Sequence, residues 1–342
     1  MLDRTLREQV SLKPMNTFGV EARARWYAEV ASPTDLSALL ADERVVDRPV
    51  LVLGGGSNLL LTRDPAGLVV RYTDEHIRVI APGRDSHLVE VGAGRSWHAF
   101  VEWSLANGYV GLENLALIPG TVGAAPIQNI GAYGVEVESF VNAVEVFDRE
   151  RRCTTIFKHD FCEFAYRFSR FKRDDERDRY IVVNVRFRLP RSGGLRLDYP
   201  GIREELATMQ IAAPGAQDVF DAVVRLRRRK LPDPAQIGNA GSFFKNPVVS
   251  TDVAQALLSA HPSAPNFDAG AGQRKLSAGW LIDQCGLKGY RDGDAGVSAQ
   301  HALVLVNHGN ASGIDIWRVA QHVQACVRNR FAITLDPEPV VI

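Results

Sequence analysis

The stretch that most narrows what this chain can become is Leu117–Gly134, LIPGTVGAAPIQNIGAYG, the longest run rich in Gly, Ala and Pro, with no charged residue. Linkers are hydrophilic and mobile, whereas this run mixes its small residues with Ile118, Val122, Ile127 and Ile130. Backbone this bare can lie close against a large flat buried group; the alternative is a buried loop packed on protein alone. Either requires a core around it. A chain of 342 residues with 46% hydrophobic content can build one, and its length suggests two or three domains.

Charge and cysteine usage exclude several function classes. Forty basic residues balance forty acidic ones, so no global field draws the chain to nucleic acid or to an anionic membrane. The four cysteines, Cys153, Cys162, Cys285 and Cys326, contain no C-x-x-C and, with the eight histidines, match no zinc spacing. Reduced thiols and no metal are expected. Residues Met1–Glu8 lack an apolar signal core, and no stretch approaches the roughly 18 apolar residues of a membrane span. The expectation is a cytoplasmic protein.

Along the chain, a strand through Ala24–Val30 leads to a helix start at Ser32-Pro33-Thr34-Asp35, with Leu36, Leu39 and Leu40 on one face. The apolar run Val50–Leu53 then discharges into Gly54-Gly55-Gly56-Ser57-Asn58. Such a loop after a strand can point backbone N–H groups into a concavity and hold phosphate; a tight turn with no ligand is the alternative. It is neither a dinucleotide fingerprint nor a Walker loop. Strand patterns at 68–70, 77–80 and 88–91 precede a helix capped by Ser96, carrying Trp97, Phe100, Val101 and Leu105, and ended by Gly108. Strands resume at 141–147 and 180–189, separated by Tyr166-Arg167 and a mixed-charge run at 172–179 that reads as a solvated loop. Nothing local distinguishes Arg167 from a surface arginine.

Composition turns to Gly, Pro and Arg at 190–200, where the main domain boundary is expected. A helix over 216–230 follows, its last turns crowded with Arg225, Arg227, Arg228, Arg229 and Lys230. Cations there complement the helix dipole, and Lys230 alternatively meets an anionic ligand. In Gln236–Pro247, QIGNAGSFFKNP, Gly238 and Gly241 allow Ser242 to be presented on a tight turn, or to sit in an ordinary turn bonding its own backbone. Helices are read from Thr251, Ser277 and Ser312, and a buried strand over 302–306. Glu338, between Pro337 and Pro339, is either an aimed carboxylate or part of a solvated end.

Taken in order, Asn16-Thr17-Phe18, LGGGSN at 53–58, GLENLALIPG at 111–120, QNIGAYG at 128–134, Tyr166-Arg167, KLPDP at 230–234 and GNAGSFFKNP at 238–247 resemble the UDP-N-acetylenolpyruvoylglucosamine reductase family, in its longer form, nearly end to end. The resemblance implies an α+β fold: a vanillyl-alcohol-oxidase (PCMH)-type FAD-binding domain of two subdomains, about 1–72 and 73–190. A C-terminal α+β substrate-binding domain would cover 191–335, and a tail, 336–342, would return to the active site. It implies non-covalent FAD, NADPH as co-substrate, UDP-N-acetylglucosamine enolpyruvate as substrate and a role in peptidoglycan precursor synthesis; a monomer that binds neither nucleic acid nor membrane is expected.

By the same resemblance, Gly54, Gly55, Gly56, Ser57 and Asn58 would hold the FAD diphosphate. Pro119, Gly120, Thr121, Gly123, Ala124, Gln128, Asn129, Gly131, Ala132, Tyr133 and Gly134 would line the flavin. Ser242 would be the proton donor after hydride reaches the vinyl carbon. Arg167 would pair with the substrate carboxylate and the developing enolate, and Glu338 would assist protonation. Tyr199, Lys230 and Asn246 match positions that contact the substrate. His301 and Phe267 stand where the family commonly carries glutamine and tyrosine. An alcohol oxidase of the same FAD superfamily lacks the 230–234 and 238–247 patterns, and a nucleotide-sugar sensor needs none of Ser242, Arg167 and Glu338.

Overall fold

A computed structural model of the protein describes residues 6–342; Met1–Thr5, part of the stretch searched for a leader, lie outside them. The chain forms two compact units. Of the described residues, unit one takes in those from Leu6 to Val10, Arg23–Gly56 and Pro65–Arg229; unit two takes in Ser11–Ala22, Ser57–Asp64 and Lys230–Ile342.

Unit one holds two sheets. In the first, the strands Leu6–Ser11, Arg23–Val30, Leu68–Tyr72 and Val50–Val52 lie in that order. The Leu68–Tyr72 strand runs parallel to both its neighbours. Leu68, Val69 and Val70 are all buried, the continuous apolar run expected of a parallel strand covered on both faces. The helix Pro33–Leu40 begins where Ser32 predicts, its hydroxyl accepting from Asp35 N, and it buries Leu36, Leu39 and Leu40.

The second sheet is antiparallel, in the order Cys153–Lys158, Val141–Asp148, Tyr180–Pro190, Ser86–Gly92, Ile77–Ala81. Helix Trp97–Ala106 lies against it, with the rings of Trp97 and Phe100 at 6.0 and 4.8 Å from Phe187.

Unit one does not stop in the Gly/Pro/Arg stretch near 190–200. Helices Ile202–Thr208 and Ala216–Lys230 bury Ile202, Leu206, Val219, Phe220, Val223 and Leu226 in the same core as the sheets. Their apolar faces outweigh the composition of the loop before them, and the division falls at Arg229–Lys230. The mixed-charge run also departs from a simple solvated loop. Arg170 grips Glu176 through two bonds of 2.7 and 2.6 Å, and Arg179 bonds the buried Asp148 at 2.7 Å.

Unit two is built on the sheet Gly238–Ser242, Val304–Asn307, Ala295–Val297, Arg291–Asp292. Helix Gly313–Phe331, capped by Ser312 and Asp315 in a capping box, buries Ile316, Val319, Val323 and Val327. A smaller sheet pairs Val248–Ser250, Gln273–Leu276 and Asn266–Asp268. The chain ends in Val340–Val341, parallel to Leu59–Leu60. The four cysteines are free. Among the described residues no helix is long and apolar enough to cross a membrane.

Candidate active site

In unit one the glycine loop and the uncharged run meet backbone to backbone. A Cβ on Gly55 would lie 2.8 Å from Gly120 Cα, and one on Gly54 would lie 3.0 Å from Thr121 Oγ1. At Gly55, where the contact is with backbone, only glycine permits that approach. The run itself is laced to residues 93–98: Gly123 N donates to Ala93 O at 2.9 Å, Val122 N to Arg95 O at 2.8 Å and Trp97 N to Gly120 O at 3.1 Å. Trp97 Nε1 donates to Leu115 O at 2.9 Å, and Leu117 N to His98 Nδ1 at 3.0 Å. Left-handed backbone at Leu117, Asn129 and Tyr133 is held by these and neighbouring bonds.

This wall fits a flat ligand group. A Cβ on Gly134 would meet nothing within 4 Å, so no protein atom crowds that face. Asn114 Oδ1 and Arg227 Nε are among six buried side-chain polar atoms of the described residues that have no hydrogen-bond partner in the protein. Asn114 spends its Nδ2 on Tyr133 O and Arg196 O, both at 2.9 Å. Burial holds the Arg227 guanidinium below its ordinary pKa, with Tyr133 opposing the shift. Sequence reasoning singled out neither residue. Arg227 carried a signal, since it stands four residues after Val223 and seven after Phe220, on the apolar face of its helix rather than among its solvated cations.

One residue expected to line the flavin has its side-chain amide bonded within the protein. Asn129 is fully buried and uses its amide structurally: Oδ1 accepts from Glu138 N at 3.1 Å, and Nδ2 donates to Glu136 Oε2 at 3.3 Å and Ala165 O at 3.2 Å. Through Ala165 it steadies the turn that carries Arg167. Ala165 and Phe168 exchange backbone bonds of 3.1 and 3.0 Å, leaving Tyr166-Arg167 as the tip, with Arg167 at φ 54°. Arg167 is no surface decoration. Its side chain is 16% exposed, Nη2 donates to Gly131 O at 2.8 Å and Nη1 to Asn129 O at 3.3 Å, and Glu136 lies 3.7 Å away. Tyr199 sets its ring edge-on against Tyr133, centroids 5.1 Å apart.

In unit two Ser242 ends a strand instead of sitting in an isolated turn, because the pairing with Val304–Asn307 is bulged between Asn239 and Ser242. Gly241 takes φ +68° at that bulge. The turn's amide need is met by Asn239, whose Oδ1 accepts from Gly241 N at 2.9 Å while Nδ2 donates to Pro232 O and Ile237 O. Gly238 is required for a different reason: a Cβ there would lie 2.2 Å from Phe18 O. The Asn16-Thr17-Phe18 motif is therefore scaffolding, with Asn239 N donating to Thr17 O at 2.9 Å and the Phe18 ring 6.2 Å from that of Phe243.

Glu338 is not in a free tail. Its N donates to Phe243 O at 2.8 Å, Lys245 N donates to Asp336 O at 2.9 Å, and Phe244 bridges Pro337. On the other side Asn58 Nδ2 donates to Glu338 O at 3.2 Å and Val340 N to Asn58 O at 3.0 Å. The two ladders bring Ser242, Glu338 and Asn58 of unit two together from distant parts of the sequence. Asn246 turns its Oδ1 to Ala278 N at 3.0 Å, fixing the start of helix Ala278–Gln284. Lys230 is exposed. His301 titrates below its ordinary range through burial and the charges of Lys230 and Lys288, and its Nδ1 accepts from Leu303 N at 3.2 Å. Phe267 is half exposed in the smaller sheet.

Comparison with known proteins matches both units. Residues 24–154 match an FAD binding domain, and residues 233–342 match the C-terminal domain of UDP-N-acetylenolpyruvoylglucosamine reductase. The chain is 51% identical over 338 residues to the UDP-N-acetylenolpyruvoylglucosamine reductase of Xanthomonas euvesicatoria pv. vesicatoria, covering 98% of this chain and 96% of that one. It is 50% identical over 334 residues to the protein of that name from Pseudomonas aeruginosa, covering 98% of each. The crystal structure of the Thermus caldophilus UDP-N-acetylenolpyruvylglucosamine reductase superposes with a TM-score of 0.70 at 28% identity, covering 98% of this chain and 99% of that one. A small-residue wall in unit one, a presented serine and a restrained glutamate in unit two, and 51% identity over 98% of the chain lead to one conclusion: the chain belongs to the UDP-N-acetylenolpyruvoylglucosamine reductase family of FAD-containing oxidoreductases.

Proposed function

We propose that the protein reduces UDP-N-acetylglucosamine enolpyruvate to UDP-N-acetylmuramate, with NADPH as electron source, as a step of peptidoglycan precursor synthesis. The observation that supports this most directly is the pairing of 243–245 with 336–338, which sets the backbone of Glu338 against Phe243, the residue after Ser242, although the two lie far apart in sequence. A sensor of the same nucleotide sugar would have no use for that pair.

FAD, when bound, would supply the hydride chemistry between NADPH and the vinyl carbon. Gly54–Gly56, Ser57 and Asn58 hold the cofactor's diphosphate, and the small residues of 119–134 accept its flat ring. Arg167 binds the substrate carboxylate and stabilises the negative charge that develops beside it; its guanidinium is already oriented by Gly131 O and Asn129 O. Ser242 Oγ delivers a proton to the carbon next to that carboxylate. A hydroxyl is a weak acid, but an enolate is a strong base and the bulged strand end fixes the geometry. Glu338 replaces the proton that Ser242 gives up. Tyr199, Lys230 and Asn246 contact the nucleotide diphosphate side of the substrate, where Asn246 has its Nδ2 to offer once Oδ1 is engaged with Ala278 N.

The test is anaerobic and has two halves. NADPH should bleach the flavin band, and the enolpyruvyl sugar nucleotide should restore it. Ser242→Ala should bleach normally yet reoxidise roughly 10²–10⁴-fold more slowly, the usual worth of a positioned proton donor. Equal reoxidation in that variant would remove Ser242 from the mechanism, and failure of any enolpyruvyl substrate to reoxidise the flavin would overturn the reading as a whole.

A further inference from the structure

The bonds that lace 115–123 to 93–98 are backbone to backbone at Gly120, Val122 and Gly123, and the indole of Trp97 holds Leu115 O. Between them, the amide of Leu117 rests on a single imidazole nitrogen, His98 Nδ1, at 3.0 Å. Leu117 is in the left-handed region at φ 57°, a conformation that a leucine keeps only when its surroundings impose it. It leads directly into Ile118-Pro119-Gly120.

The ring of His98 is itself fixed. It lies flat on Phe220, centroids 5.5 Å apart and planes within 5°, with Nε2 3.6 Å from Glu102 Oε1. With Nδ1 accepting, the neutral ring carries its proton on Nε2, on the side of Glu102. We infer that His98 is a positioning residue for the FAD wall: as the neutral, Nε2-protonated tautomer it pins Leu117, and gaining a second proton releases the start of the 117–134 segment. This rests on the proposal that 119–134 lines the flavin.

The charges around the ring favour the pinned state. Burial, with Arg228 and Arg227 of the facing helix, holds His98 below its ordinary pKa of 6.5, while Glu102 on its own helix opposes that shift. The sign follows from that direction. A histidine whose folded-state pKa is depressed binds protons less readily when folded, so its contribution is present above 6.5 and is lost as pH falls below it. Protonation adds a donor at Nδ1 facing the Leu117 N–H, two donors nose to nose, and the bond breaks.

Two variants test this, each read in two ways. Asparagine places Oδ1 near the position of Nδ1 and cannot gain a proton in this range; leucine offers no acceptor. Hydrogen exchange at the Leu117 amide, corrected for the intrinsic pH dependence of exchange, reads the bond itself. FAD dissociation, followed by recovery of free flavin fluorescence, reads its consequence. At about pH 8, His98→Asn should keep Leu117 protection and FAD affinity, while His98→Leu should weaken FAD binding roughly three- to tenfold, the worth of one buried hydrogen bond. As pH falls below 6.5 the unaltered protein should move toward His98→Leu in both readouts, and His98→Asn should not. Unchanged Leu117 exchange in His98→Leu would overturn the inference, as would an acid loss of FAD shared equally by the protein and His98→Asn. Exchange that changes while FAD affinity does not would also overturn it. Gly55→Val, which strikes Gly120 Cα, separates that result from a failure of the underlying assignment: if it too leaves FAD affinity unchanged, the wall is not where FAD binds.

Discussion

Single atoms decide how Ser242 is presented. Gly238 cannot accept a side chain because its pro-Cβ direction ends on the carbonyl of Phe18, with Phe18 C at 2.7 Å and O at 2.2 Å. Neither is the end of a flexible side chain, so the backbone must move. Gly238→Ala should cost about 1–3 kcal/mol in unfolding free energy, seen as a lower denaturant midpoint, and should slow substrate reduction more than NADPH oxidation. A midpoint equal to that of the unaltered protein would show that the Phe18 segment yields freely. Asn239 makes the complementary case. Its amide satisfies Gly241 N, Pro232 O and Ile237 O at once, so Asn239→Ala strands a buried donor and two acceptors. About 1–3 kcal/mol should be lost in equilibrium unfolding, and Asn239→Asp should not restore it, because a carboxylate cannot donate to the two carbonyls.

Among elements, the five-stranded sheet of unit one depends on a charged corner. Asp148 closes the strand Val141–Asp148, is almost wholly buried, accepts from Glu150 N and Arg151 N, and is gripped by Arg179 through Nε and Nη2. The Arg179 bond, with the two amides, holds its carboxyl below the ordinary 3.8 against the cost of burial. A depressed carboxylate contributes stability that is present above 3.8 and is lost as pH falls below it. The stability gap between the protein and Asp148→Asn should therefore be widest near neutral pH and should narrow below 3.8, as measured by urea unfolding across that range. A gap independent of pH would mean that the charge of Asp148 contributes nothing. The imidazole at His98 belongs to another element, and its ordinary pKa of 6.5 lies above the 3.8 of Asp148.

At the scale of the molecule, the C-terminal segment is the closing piece of unit two. It pairs with 243–245 on one side and, through Val340–Val341 and Ile342, with 58–62 on the other. Removing 336–342 would expose both edges. Amide exchange should accelerate across 58–62 and 243–245, while the antiparallel sheet of unit one keeps its protection. Loss of protection throughout unit one would show that its stability depends on this segment. Such a truncation should abolish reduction of the enolpyruvyl substrate, because it removes Glu338 and frees the strand that ends in Ser242.

Local chemistry was legible in the residues because local forces set it. Ser32, Ser96, Ser277 and Ser312 start helices by capping orphan N–H groups, and each cap is where its residue predicts. The glycine loop, the uncharged run and the glycine-flanked Ser242 could be named as candidates, since glycine and the absence of charge are visible in one dimension. Three things were not legible. The extent of unit one depends on apolar faces of two helices packing into a core assembled from residues far away, which loop composition near 190–200 does not reveal. Arg167 gave no local sign because what distinguishes it, the carbonyls of Asn129 and Gly131, comes from a segment nearly forty residues earlier. Glu338 read equally well as a solvated end until strand pairing fixed it beside Phe243. The sequence by itself determined the turns, the caps and the family pattern, because steric and short-range bonding preferences act within a few residues. Tertiary structure alone decided which of those residues became neighbours, because long-range contacts form only when distant segments share a core.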